Sequence, residues 1–189
     1  MNPAFDDDIK ACIDTLSGGG IILYPTDTIW GIGCDATNES AVEKIYRLKN
    51  RPGEKAMVVL VADDRDILQY TASPDPAIFD YLENLTTPTT VIYENALGLA
   101  DNLTGEDGTV AIRVCRDEFC RHLIKRFRKP LVSTSANVSG SHSPSNFKAI
   151  DPLIVSGVDY VVKHRQDDPS EALPSHIVKW QNGELIRIR

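Results

Sequence analysis

Short apolar runs alternate with amphipathic segments of helical period along most of this chain, and that alternation narrows the folds open to it. Ile9, Cys12, Ile13 and Leu16 recur at helical spacing behind Asp6, Asp7 and Asp8, read as an N-cap and an acidic first turn, and Gly18-Gly19-Gly20 closes the helix. Residues 21–24 read as a buried strand. Asn38 caps a second helix with Val42, Ile45 and Leu48 inward, followed by a central strand over residues 56–61 and a short helix within 63–70. Asp75 and Pro76 open another helix carrying Ile78, Phe79 and Leu82. Strands over 89–93 and 109–114 flank an exposed loop, 94–108. Asp117 begins a helix with Phe119, Cys120, Leu123, Ile124 and Phe127 on its apolar face. Pro130 ends that helix and feeds a strand beginning at Leu131. Strands over 159–162 and 175–180 follow, with a loop over 165–174 between them. Gln181-Asn182-Gly183-Glu184 then turns the chain into Leu185-Ile186-Arg187-Ile188. The expectation is one α/β domain over residues 1–189, a mixed and largely parallel sheet with helices on its faces.

Net charge is −7, which argues against coating by nucleic acid. An acidic protein can still focus positive potential inside one cleft. No apolar run approaches the roughly 20 residues of a membrane span. The N-terminus lacks the basic-then-apolar profile of a signal peptide, so a cytoplasmic address is expected. Four scattered cysteines form no CxxC pair and read as buried thiols.

Three stretches carry chemistry. Leu131-Val132-Ser133-Thr134-Ser135-Ala136-Asn137-Val138-Ser139-Gly140 passes from a strand end into small, hydroxyl- and amide-bearing residues. Such a junction suits an anion held by neutral donors, and equally an ordinary Ser/Asn turn. Pro25-Thr26-Asp27-Thr28-Ile29-Trp30-Gly31 follows another strand end, where open α/β sheets place ligands; a turn with a core tryptophan is the competing reading. Lys49-Asn50-Arg51-Pro52-Gly53 closes the second helix. Its cations either complement the helix dipole or clamp phosphate, Arg51 by a fork and Lys49 as a compact charge. The other face of the helix opened by Asp117 is basic (Arg121, Lys125, Arg126, Arg128, Lys129), a solvated face or an RNA footprint. GxGxxG, GxxxxGK[ST], GxSxG and HExxH are all missing from the sequence, as is any Cys/His cluster. What remains is equipment for positioning phosphates without covalent catalysis.

Together, Tyr24-Pro25-Thr26-Asp27-Thr28 with Gly31 and Gly33, Lys49-x-Arg51-Pro52, Val110-Ala111-Ile112-Arg113-Val114 and Ser133-Thr134-Ser135-Ala136-Asn137-x-Ser139-Gly140 resemble the signatures of the YrdC-like threonylcarbamoyl-AMP synthases. The resemblance implies a twisted α/β sheet with an open, positively charged cavity. It implies that L-threonine, bicarbonate (or CO2) and ATP are joined into threonylcarbamoyl-AMP with release of pyrophosphate. Downstream machinery would transfer the product to tRNA, and Mg2+ would arrive on the ATP phosphates without protein ligands. Carried over residue by residue, Lys49, Arg51, Ser135 and Asn137 are catalytic. Lys49, Arg51, Thr90, Ser133, Ser135, Asn137 and Ser143 bind ATP, and Thr26 and Thr28 line the threonine pocket. The chain departs from the pattern at Thr87-Pro88, which lacks a glycine, at Cys115 where a proline is expected, and at Ser175-His176-Ile177. Two other readings are an RNA-binding protein of the same fold without synthase activity, with weak tRNA binding, and a paralogous nucleotidyltransferase with another substrate. No membrane partner is expected.

Overall fold

A computed structural model describes residues 4–50, 57–181 and 184–188. Among the described residues nine strands form one sheet: β1 (Ile22–Tyr24), β2 (Gly31–Gly33), β3 (Val58–Val61), β4 (Thr89–Tyr93), β5 (Val110–Val114), β6 (Leu131–Ser135), β7 (Tyr160–Val161), β8 (His176–Gln181) and β9 (Glu184–Arg187). Their order across the sheet is β7-β1-β2-β6-β3-β5-β4-β8-β9. The sheet is mixed, as expected. Its parallel pairs are β1–β7, β3–β5 and β4–β8, and antiparallel neighbours are the more numerous. Six helices accompany it: α1 (Asp6–Ser17), α2 (Glu39–Leu48), α3 (Ile67–Tyr70), α4 (Ala77–Glu83), α5 (Glu118–Phe127) and α6 (Pro152–Gly157).

Local signals explain most of these boundaries. Asn38 accepts from the Ala41 amide at 3.1 Å and Asp117 from that of Cys120 at 2.9 Å, each capping its helix. Arg128, at φ 60°, takes the left-handed C-cap of α5, and its amide returns to the Ile124 carbonyl. Every residue of β1 is buried, as a continuous apolar run requires when both faces are covered. α1 packs on α5 and β1, burying Ile9, Cys12 and Leu16.

The N-cap of α1 is Phe5, without a side-chain cap; the three aspartates lie within the first turn. Asp8 is instead buried, accepting from Tyr160 Oη (2.6 Å) and from the Lys163 and His164 amides (3.0 and 2.9 Å). The loop over 94–108 contains a 3-10 turn, Asp101–Leu103, whose Leu103 is fully buried. β2 and α6 carried too little periodicity to be read in advance. β2 is three residues with two glycines, and α6 is six residues behind the Asp151 cap and Pro152. The Asn182-Gly183 turn lies outside the described residues, although Gln181 and Glu184 on either side of it are paired.

β6 joins the two halves of the sheet. Its Leu131, Val132 and Ser133 pair with β3, while Thr134 and Ser135 pair with β2. This register brings the hydroxyl-rich strand end against the short glycine strand and next to the start of β3.

Candidate active site

The Pro25–Trp30 loop is held by its own side chains. Thr26 Oγ1 donates to the Ile29 carbonyl (2.8 Å), accepts from the Thr28 amide (3.0 Å) and lies 3.0 Å from Thr28 Oγ1. This is a short hydroxyl turn. Thr26 is thereby committed to shaping the loop, and Thr28 turns its half-buried side chain toward a cleft.

That cleft has a volume of about 180 Å³. Thr28, Trp30 and Gly31, then Met57 and Val58, then Ser133, Thr134 and Ser135 line it, together with Ser143, Ser175 and Arg113. Gly31 leaves room for a cleft hydroxyl: a Cβ there would sit 3.0 Å from Ser133 Oγ, close enough to press on it. Gly33 is tighter still, because a Cβ would come within 2.6 Å of both Tyr24 Cε1 and the Val132 carbonyl. Burial pushes the Tyr24 phenol well above its ordinary range, so it stays neutral and donates to Val132 O at 3.1 Å.

Arg113 is the one charged side chain on the cleft wall among the described residues. It is 4% exposed. Its Nη2 lies 3.1 Å from Asp27 Oδ1, an ion pair whose alignment falls short of a hydrogen bond, and neither Nη2 nor Nε has a hydrogen-bond partner. A buried guanidinium with unused donors beside a cleft is equipped to take a carboxylate or phosphate. Arg113 was visible only as part of a strand motif; the missing signal was its burial.

The other expected residues fall into three groups. Ser133, Ser135, Ser143 and Thr28 line the cleft. Lys49, Asn137, Thr90 and Thr26 stand behind its wall. Lys49 is 1% exposed, and its ammonium donates to the carbonyls of Ser135 and Asn137, the latter at 2.5 Å. The Lys49 carbonyl in turn accepts from the Ser139 amide at 2.9 Å. The end of α2 is thus stapled to the loop after β6, although 86 residues separate Lys49 from Ser135. Asn137 Nδ2 braces the same loop by donating to the Val138 and Ser141 carbonyls (2.9 and 2.7 Å). Thr90 Oγ1 lies 2.8 Å from Ser175 Oγ and so orients a cleft residue. Arg51, the third case, lies outside the described residues.

The basic face of α5 is largely neutralised. Arg121 and Lys125 both pair with Asp63 (2.9 and 2.8 Å), Arg126 pairs with Asp6, and Lys129 reaches the buried Asp35 at 2.5 Å. Those cations hold the fold's own acids. Among the described residues no group of three or more His, Cys, Asp or Glu side chains could hold a metal ion, and no helix is long and apolar enough to cross a membrane.

A family profile for the Sua5, YciO and YrdC proteins, described as "Telomere recombination", matches residues 14–189. The chain belongs to this family. A threonylcarbamoyl-AMP synthase of Idiomarina loihiensis is 34% identical over 173 residues, covering 89% of this chain and 91% of that protein. Another, from Pseudoalteromonas translucida, is 32% identical over 184 residues, covering 95% and 96%. P. abyssi Sua5 complexed with L-threonine shares the fold at a TM-score of 0.83 and 20% identity; the match covers 96% of this chain and 53% of that one. E. coli YciO gives 0.81 at 21% identity, covering 97% and 88%.

Proposed function

We propose that this Sua5/YciO/YrdC-family chain is an L-threonylcarbamoyladenylate synthase, joining L-threonine, bicarbonate or CO2 and ATP into threonylcarbamoyl-AMP and pyrophosphate. The observation that carries the reading is Arg113, a buried guanidinium with unused donors, set in a cleft whose other polar side chains are hydroxyls. Its planar fork matches an amino-acid carboxylate, while Asp27 limits its freedom to turn away. With the carboxylate so anchored, the threonine amine captures CO2 as a carbamate. A carbamate oxygen then attacks the α-phosphorus of ATP, and the α–β bridging oxygen leaves with pyrophosphate.

Ser133, Ser135 and Ser143 supply neutral donors to phosphate oxygens, and Lys49 fixes the loop that presents them. Arg51 would add a phosphate clamp. The cleft's polar side chains are hydroxyls and a guanidinium, with no carboxylate among the described residues, a set suited to anions, so Mg2+ is assigned to the substrate as MgATP, where it offsets triphosphate charge. The product is a mixed anhydride, and its consumer would be the machinery that transfers the threonylcarbamoyl group to tRNA.

The deciding assay is pyrophosphate release with threonine and bicarbonate omitted in turn. Loss of turnover on each omission is expected. Turnover without threonine, or faster turnover with another amino acid, refutes the assignment.

A further inference from the structure

We propose that Arg165 is a positioning residue for the Asp27–Arg113 pair, acting through the Thr26–Asp27 peptide; the inference rests on the synthase reading for its kinetic consequences and on geometry for the rest. Arg165 opens the loop after β7 and has φ 65°, a left-handed conformation that a non-glycine residue adopts only when its surroundings hold it. Those surroundings are visible. The preceding amides, Lys163 and His164, both donate to the buried Asp8 carboxylate.

From this anchored position the guanidinium makes two contacts. Nη2 donates to the Thr26 carbonyl at 3.1 Å, and Nη1 pairs with Asp117 Oδ2 at 3.0 Å. Asp117 is itself fixed, since its other oxygen caps α5 through the Cys120 amide. Cys120 Sγ donates in turn to the Pro25 carbonyl at 3.2 Å. Two successive carbonyls of the loop are therefore each held by a side chain.

The Thr26 carbonyl and the Asp27 amide belong to one rigid peptide plane. Holding that carbonyl fixes the direction from which the Asp27 side chain leaves the backbone. Asp27 Oδ1 then faces Arg113 Nη2, and Oδ2 accepts from the Arg116 amide at 3.4 Å. Arg165 does not line the cleft that holds Arg113. It lines an adjoining pocket with Thr26 and Asp27, and acts on that cleft through one peptide and one carboxylate.

Arg165→Met and Arg165→Lys test the proposal by two readouts. In pyrophosphate-release kinetics Arg165→Met should raise the threonine KM about tenfold, the loss expected of one charge-assisted hydrogen bond, with the ATP KM little changed. Arg165→Lys keeps the charge without the fork and should fall between wild type and Arg165→Met. Independently of activity, the Arg113 Nε–Hε resonance should shift in Arg165→Met. If wild type shows no threonine-dependent turnover while that resonance still moves, the synthase reading fails and the positioning role stands. Should wild type turn over and both variants keep the threonine KM and the Arg113 resonance of wild type, the proposal is overturned. If Arg165→Met melts below the assay temperature, Arg165→Lys carries the same readouts.

Discussion

Replacing Arg113 by Met tests the cleft where its chemistry is most concentrated. The substitution removes a 4%-exposed guanidinium and leaves Asp27, whose side chain is 12% exposed, with the Arg116 amide at 3.4 Å as its remaining close donor. Breaking a buried pair from one side costs about 3–5 kcal/mol. The residual exposure of Asp27 and that amide place the expected loss near the lower end, about 3 kcal/mol. Neutralising both partners in Asp27→Asn/Arg113→Met should recover most of the stability and none of the substrate binding. Binding is worked separately: a charge-assisted hydrogen bond to a substrate carboxylate is worth about 1.5–3 kcal/mol, which raises the threonine KM roughly 10- to 150-fold. Denaturant unfolding measures the first quantity and pyrophosphate release against threonine concentration the second. A folded Arg113→Met protein whose threonine KM stays within about threefold of wild type, less than 1 kcal/mol, would refute the assignment of the carboxylate to Arg113.

Three further outcomes follow from the same geometry. Lys49→Met leaves the Ser135 and Asn137 carbonyls without their ammonium, at about 1–3 kcal/mol per stranded group, so both the melting temperature and the affinity for ATP should fall; an unchanged ATP KM would detach Lys49 from the phosphate loop. Thr90→Val keeps shape while removing one partner of Ser175 Oγ, and should cost about 1 kcal/mol in denaturant unfolding together with a change in substrate KM. Burial lowers the His164 pKa below its ordinary 6.5, so the unfolded chain takes up that proton first as pH falls; stability should decline from pH 6.5 downward, and His164→Phe should flatten that part of the melting-temperature profile.

The residues that signal their elements most plainly are those whose reasons are local. Asn38 and Asp117 announce helix starts by a hydrogen bond three residues away, and the run at residues 22–24 announces a strand covered on both faces. β2 gives no such notice, because Gly31 and Gly33 are there for what lies across the sheet: Ser133 Oγ in one case, the Tyr24 ring and Val132 carbonyl in the other. The site divides in the same way. Ser133, Ser135 and Thr28 are legible as polar residues at strand ends and do line the cleft. Arg113 is not legible as a site residue, since nothing local distinguishes it from any charged residue in a strand. Its significance comes from burial and from Asp27, which lies on a loop far away in the chain. Arg165 is hidden for a related reason, sitting in an aperiodic loop whose conformation is set by Asp8 on the first helix.

The two buried cations near the cleft explain why one is lysine and the other arginine. Lys49 meets the backbone carbonyls of Ser135, at the end of β6, and Asn137 just beyond it, and a compact ammonium with rotatable donors suits separate single acceptors. Arg113 meets a carboxylate on one side and open cleft on the other, and a planar fork can face both at once. Exchanging the types should therefore harm each site differently. Arg113→Lys keeps the charge beside Asp27 and so keeps most of the stability, yet loses the fork; its threonine KM should rise nearly as far as in Arg113→Met. Lys49→Arg forces a larger planar group into a space that is 1% exposed, at about 1–3 kcal/mol for overpacking, and should lower stability before it affects threonine. Equal effects of the two exchanges on stability and on threonine KM would mean that both cations act merely as charge.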